Sequence, residues 1–449
     1  MTKKIAFISE HASPLALLGG VDSGGQNVYV AELCKQLATK GYEIDIYTRK
    51  DAKEIPTTVC WLKGIRVIHI QAGPEAFVPK EELLNYMSAF TNNMIAYIKK
   101  YQLDYEIVHA NFFMSALVAH QLKKRLHIPY VVTFHALGKI RQLHQKEKDA
   151  FPADRISIEQ LIVRDANQII AECPQDQEDL INYYEANPAK ITIIPCGFSH
   201  DEFYPMDKTL ARQALNLPGK EKILLQLGRM VPRKGVDNVI RALGRLKQVT
   251  KIKLVIVGGN ADTPDPNKDA ELRRLQAIAE QEKVVDSVIF VGRKNRNVLK
   301  YFYNAADFFI STPWYEPFGI TPLESMACGT PVIGSDVGGI KYSVVDGKTG
   351  FLVPPNDPDM LAKKIQHGLT NPAYYNYLCQ NSLNRVNKLF TWECVAKQMQ
   401  QLYEKVIRTS YKPVSTFSRS SSLTSIPLMG VRPGFREPLY QQINRNLYE

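Results

Sequence analysis

The sequence predicts an α/β chain of two doubly wound domains in tandem. Three observations carry that prediction. Short apolar runs alternate with helical apolar periods along most of the chain. The alternation occurs in two series, separated by a Pro- and charge-containing stretch at residues 199–220. At 449 residues the chain is too long for one ordinary core.

The first series opens with an apolar strand over residues 3–9, so the N-terminus reads as a first strand and not as a signal peptide. A Gly-rich loop follows, with Gly19, Gly20, Gly24 and Gly25 around Asp22 and Ser23. Next comes a helical period (Val28, Val30, Ala31, Leu33, Leu37, Ala38) closed by Gly41, then a strand over residues 43–48. Further strands are expected at Val108, 130–134, 168–172 and 191–195. The second series places strands at 222–228, 253–259, 287–292, 307–312, 330–335 and 351–354, each an apolar run suited to a buried parallel sheet. Asp357 precedes an amphipathic helix (Met360, Leu361, Ile365) and reads as its N-cap, not as a metal ligand. Residues 411–449 are rich in Ser, Pro and Arg without periodicity and read as a flexible tail.

Composition narrows the class. No stretch approaches the ~18 consecutive apolar residues of a membrane-spanning helix. The seven cysteines are scattered without CxxC spacing, which disfavours a disulfide framework or a metal cluster and fits a reducing cytoplasm. Residues 1–200 balance 22 basic against 22 acidic side chains, so the net charge of +11 falls wholly on residues 201–449. A basic second half suits an anionic ligand such as a nucleoside diphosphate, or an acidic membrane surface. Nucleic acid is disfavoured, because no recognition motif accompanies the charge.

Four segments carry candidate chemistry. The loop 19–25 sits between strand and helix, where Gly24 and Gly25 let backbone approach a phosphate. It lacks GxGxxG and a Walker lysine, and the second strand ends without an acidic residue for a ribose. Arg229 and Lys234 follow the strand 222–228 and are suited to gripping a diphosphate. His135 ends a strand before Gly138. Glu316 and Glu324 flank the run Pro317-Phe318-Gly319-Ile320-Thr321-Pro322-Leu323, beyond a strand end. The eight-residue spacing predicts two carboxylates about two helical turns apart. The N–H groups of Gly319, Ile320 and Thr321 would open the helix as an anion or hydroxyl site.

As a set, the 22–30 segment, the Arg229–Lys234 loop, the Glu316–Glu324 pair and Gly338-Gly339 resemble the retaining GT-B glycosyltransferases of the family-four type, over about residues 1–408. The 22–30 segment looks closest to sucrose-phosphate synthases and inositol-phosphate N-acetylglucosaminyltransferases. The resemblance implies two Rossmann-like domains facing across a cleft: an acceptor-binding domain at 1–205, with a helix at 391–408 crossing back onto it, and a nucleotide-sugar domain at 206–390. It implies that Glu324 holds the ribose and Glu316 the donor sugar, that Arg229 and Lys234 stabilise the departing diphosphate, that Gly25 presents amides to it, and that His135 orients the sugar. Neither metal nor cofactor is then required. Lys80, Lys139 and Arg155 look like members of an acceptor-phosphate set. Phe112 stands where relatives with phosphorylated acceptors carry Tyr, and Phe cannot hydrogen-bond a phosphate. The acceptor is therefore left open between sugar phosphate, free sugar, polyol and lipid, with hexose transfer from a UDP-sugar to a sugar phosphate favoured. A membrane-associated transferase making a glycolipid or polysaccharide, and a non-catalytic nucleotide-sugar-binding protein, are the alternatives.

Overall fold

The structure is a computed structural model that describes residues 3–16, 24–246 and 251–410. Gly19, Gly20, Asp22 and Ser23 of the Gly-rich loop, and the tail 411–449, lie outside the described residues. The described residues belong to one unit, Met1–Ser410.

The first sheet contains β1 (Lys3–Ile8), β2 (Tyr42–Arg49), β3 (Thr58–Leu62), β4 (Ile65–Ile70), β5 (Ile107–Asn111), β6 (Tyr130–Thr133), β7 (Gln168–Ala171) and β8 (Ile191–Ile193). Its order is β3-β4-β2-β1-β5-β6-β7-β8. All neighbours are parallel except β3 and β4, which pair antiparallel as an edge hairpin. The sequence pattern does not mark this hairpin. Val59 and Trp61 reach the core while Cys60 and Leu62 face out, so it lacks the continuous apolar signature of a central strand.

The second sheet contains β9 (Lys222–Leu227), β10 (Ile252–Val257), β11 (Val288–Gly292), β12 (Phe308–Ser311), β13 (Val332–Ser335) and β14 (Gly350–Val353), in the order β11-β10-β9-β12-β13-β14, all parallel. In each sheet the strand order reverses once among the parallel strands, between β1 and β5 and between β9 and β12. Such switch points leave a crevice beyond the carboxyl ends of the two strands, because their connections leave to opposite sides.

Two features tie the sheets together. One apolar cluster runs from Phe7 and Val30 through Cys173 and Trp392 to Phe318 and Leu323. The helix Trp392–Ser410 carries Tyr403, whose hydroxyl lies 2.6 Å from His109 Nδ1 of β5. Its first residue bonds back through Trp392 N–H to Phe198 O at 3.2 Å. Asp357 caps the helix Pro358–Thr370 by accepting from Met360 N–H at 2.8 Å, as its sequence context predicts.

Candidate active site

A cavity of about 370 Å³ lies where the two crevices meet. From the first sheet it receives the ends of β1 and β5 (His11, Phe112), the end of β6 (His135) and the start of the helix Gly25–Thr39. From the second it receives the loops after β9 (Arg229, Lys234) and β12 (Glu316, Gly319). Among the described residues, eight basic side chains (Lys80, Arg141, Arg229, Arg233, Lys234, Arg293, Lys294, Arg296) line it against three acidic ones (Glu172, Glu316, Glu324), so their field favours an anionic ligand.

Glu316 does not lie on the helix with Glu324, contrary to the expectation of two carboxylates two turns apart. The helix spans Ile320–Ala327 and starts after Gly319, whose φ of +92° breaks the helical path. Glu316 instead comes from the preceding loop and pairs with Lys234 Nζ, with Arg233 3.8 Å away. The pair's surroundings set its electrostatics. Burial, only partly offset by Glu316, lowers the Lys234 ammonium to about 8. Burial pushes the Glu316 carboxyl up, but Lys234, Arg233 and Arg229 outweigh it and hold the group below its ordinary value. The loop is held from behind by the helix Gly338–Ser343. A Cβ on Gly338 would overlap Glu316 O, and one on Gly339 would overlap the Phe318 backbone.

Glu324 is 2% exposed. Its Oε1 accepts from Arg296 Nη1 at 2.7 Å and its Oε2 from the Tyr303 hydroxyl at 2.8 Å. Arg296 is also bonded to Glu202 Oε2 at 2.6 Å and lies over the Phe203 ring. Glu324 is therefore a fixed anion in the cavity wall. The first N–H groups of its helix have no intrahelical acceptor, and Gly319, Ile320 and Thr321 line the cavity.

His135 and Phe112 share an unusual backbone. Both have positive φ, +58° and +86°, at the carboxyl ends of adjacent strands. For bulky residues this conformation is strained, and such strain concentrates at functional sites. His135 Nδ1 lies 3.1 Å from Glu172 Oε1, and its Nε2 3.1 Å from Asn111 Oδ1. Tyr29 meets the imidazole edge-on at 4.8 Å between centroids. The ring is thus clamped on three sides.

Twelve of the fourteen candidate residues line the cavity: Gly24, Gly25, Lys80, Phe112, His135, Arg229, Lys234, Glu316, Gly319, Ile320, Thr321 and Glu324. Lys139 and Arg155 do not. Lys139 Nζ turns to Tyr183 O and over the Tyr184 ring. Arg155 is 2% exposed and sits among the rings of Phe112, Phe113 and Phe151 at 4.9, 4.8 and 4.5 Å. It bonds Glu159 at 2.8 Å and holds Ala136 O, so it braces the His135 loop. Its position in the sequence gave no sign of that aromatic cage. Arg141, His11, Glu172 and Arg296 were not found from sequence. Each belongs to a segment with no local motif and is brought in by the packing of strand ends.

Comparison with known proteins agrees with this geometry. Residues 23–202 match the family described as Glycosyltransferase Family 4, and residues 207–385 match Glycosyl transferases group 1. The D-inositol 3-phosphate glycosyltransferase 2 of Catenulispora acidiphila is 31% identical over 414 residues, covering 91% of this chain and 96% of the relative. The sucrose-phosphate synthase of Thermosynechococcus elongatus superposes with a TM-score of 0.83 at 36% identity, over 91% of this chain and all of that one. HepE of Anabaena, solved with UDP and glucose, shares the fold at a TM-score of 0.70 and 18% identity, over 90% of this chain and 100% of that one. With two sheets of this topology, a basic cavity at their switch points and relatives matched along nearly their whole length, the chain belongs to the family-four type of GT-B glycosyltransferases.

Proposed function

We propose that this glycosyltransferase moves a hexose, with retention of configuration and without a metal, from a UDP-sugar to a sugar-phosphate acceptor. The observation that carries the reading is the grouping of Arg229, Arg233 and Lys234 with Glu316 beside the start of the helix Ile320–Ala327, in one cavity. In the reaction the bond from the anomeric carbon to the phosphate oxygen breaks, and charge develops on the departing diphosphate. Fixed cations and helix N–H groups stabilise that charge without reorganising. Lys234 and Arg229 supply the charge that a metal ion supplies elsewhere. Glu324 holds the ribose hydroxyls, and its bonds to Arg296 and Tyr303 fix the direction of its oxygens. Glu316 accepts from hydroxyls of the transferred sugar, His135 orients that sugar near its reacting carbon, and Gly24 and Gly25 allow the backbone close to the phosphate. The acceptor oxygen attacks from the face that the diphosphate leaves, and its proton passes to the departing phosphate oxygen. No carboxylate is then called on as a nucleophile.

On the acceptor side, Lys80 and Arg141 are, among the described residues, the Lys and Arg side chains of the first domain that line the cavity. They take the phosphate-binding role in place of Lys139 and Arg155. The sugar-phosphate reading is supported by the relatives named for inositol 3-phosphate and sucrose phosphate. The test is UDP release with product mass, over a grid of nucleotide sugars against fructose 6-phosphate, inositol phosphate, free sugars and a lipid acceptor. Release raised by a phosphorylated acceptor, with the matching product mass, is expected. Turnover only with a free-sugar or lipid acceptor would overturn the acceptor assignment.

A further inference from the structure

A second cavity, of about 270 Å³, opens beside the first and shares with it Ala136, Arg141, Tyr315, Glu316 and Pro317. Its walls come from both sheets' surroundings: the helices Gly138–Gln145 and Pro174–Tyr184 on one side, and residues 314–317 and 336–338 on the other. Its character is opposite to that of the main cavity. Four carboxylates (Asp176, Asp179, Asp336, Glu316) face one guanidinium, Arg141. An anionic ligand is therefore disfavoured.

Two of the four carboxylates are offset, and Arg141 is itself paired with Asp149 at 3.0 Å. Glu316 is paired with Lys234. Asp179 accepts from Gln175 Nε2 at 3.0 Å. Burial and the neighbouring Glu172 push Asp176 up to about 8, which makes it a neutral acid able to donate as well as accept. Lys341, bonded to Gln175 Oε1 at 2.9 Å, adds positive charge next to this wall. What remains is a set of hydrogen-bonding groups beside apolar and aromatic surface. Tyr183 and Leu143, which line it, are 40% and 54% exposed, and the Trp314 indole N–H is buried without an acceptor among the described residues. Aromatic faces with acids and amides around them match a molecule that is apolar on its ring faces and hydroxylated at its edges.

We propose that this second cavity binds a neutral saccharide at the same time as the nucleotide sugar occupies the first. Resting on the transferase reading, this adds a second sugar site and a consequence for the domains. The ligand would touch Tyr183 of one domain and Trp314 and Asp336 of the other. Between the cavities, Tyr315 is stacked on His144 at 4.6 Å and lies under the Arg233 guanidinium at 5.2 Å. A saccharide here would therefore brace the same loop that positions Glu316.

Maltose serves as the neutral probe, with spermidine as the charged control. Binding is measured by calorimetry and by tryptophan fluorescence, which Trp314 reports, in the full-length protein with and without saturating UDP. Maltose is expected to bind saturably whether or not UDP is present. Tyr183→Ala and Asp336→Asn should each weaken it about tenfold while leaving UDP binding and basal UDP release unchanged. Absence of saturable maltose binding, competition by UDP, tighter binding of spermidine, or full maltose affinity in both variants would each overturn the proposal. The UDP titration in the same samples keeps the two readings apart. Lost maltose binding with intact UDP binding sinks only the second site, whereas lost UDP binding sinks the donor assignment.

Discussion

Lys234 connects a local environment to a measurable pH dependence. Burial lowers its ammonium to about 8, and the catalytic form in the proposed mechanism is the cation. In free enzyme that form is present below this value and is lost as pH rises through it, so kcat/KM should fall on the alkaline side with a limb near pH 8. Lys234→Arg should remove the limb, because a guanidinium stays charged beyond pH 12 or so; a limb that persists in the variant would assign it to another group. Lys234→Ala should lower kcat by about 100-fold, as loss of one charge-stabilising donor does, with little change in melting temperature. Glu324→Gln should weaken UDP binding about tenfold by calorimetry, the size of one good hydrogen bond to a charged acceptor. Arg155 is expected to behave differently. Arg155→Lys should lower stability through the aromatic cage while leaving the KM for a phosphorylated acceptor within about twofold. A large KM effect at unchanged stability would return Arg155 to the acceptor site.

The segment from β12 to the helix Gly338–Ser343 shows how an element is positioned by its neighbours. Glu316 reaches Lys234 because the chain leaves the helical path until Ile320, and because two glycines behind it have no Cβ. Gly339→Ala would force the Phe318 backbone away and should cost ~1–3 kcal/mol in urea denaturation, with a fall in kcat larger than that in UDP affinity. Unchanged kinetics would show that the loop has room to relax. Much of this segment is legible in the sequence: the strand, the helix start and the Gly338-Gly339 pair are all local signals. That Glu316, just before the helix, turns to Lys234 was not legible, since the two lie 82 positions apart. The β3–β4 hairpin was lost for a different reason. An edge pair buried on one face carries a weaker apolar signal than the central strands.

Across the whole molecule the final helix acts as a tie. Trp392 is 1% exposed, contacts Tyr29 edge-on at 5.7 Å and belongs to the apolar cluster that spans both sheets. Trp392→Ala should remove ~3–5 kcal/mol in urea denaturation and should lower activity as well, because the same cluster includes Phe318 beside the cavity. A loss below ~1 kcal/mol would show that the cluster repacks around the gap. Lys3–Glu404, an exposed pair at 2.8 Å between β1 and the same helix, should contribute far less, as surface ion pairs do.

The sequence by itself determined the two series of strands and helices, the strand-end location of Arg229, Lys234, His135, Glu316 and Glu324, and the family. Those follow from continuous apolar runs alternating with a 3.6-residue helical period, and from residues grouped within a few positions of one another. Tertiary structure alone decided which cations meet in the cavity, that Arg141 lines it while Arg155 is caged behind it, and that Arg296 and Tyr303 fix Glu324 from 28 and 21 residues away. The physical reason is that strand order, not sequence order, sets which loops share a crevice. β9 and β12 are neighbours although 80 residues separate Leu227 from Phe308, and no local pattern encodes that adjacency.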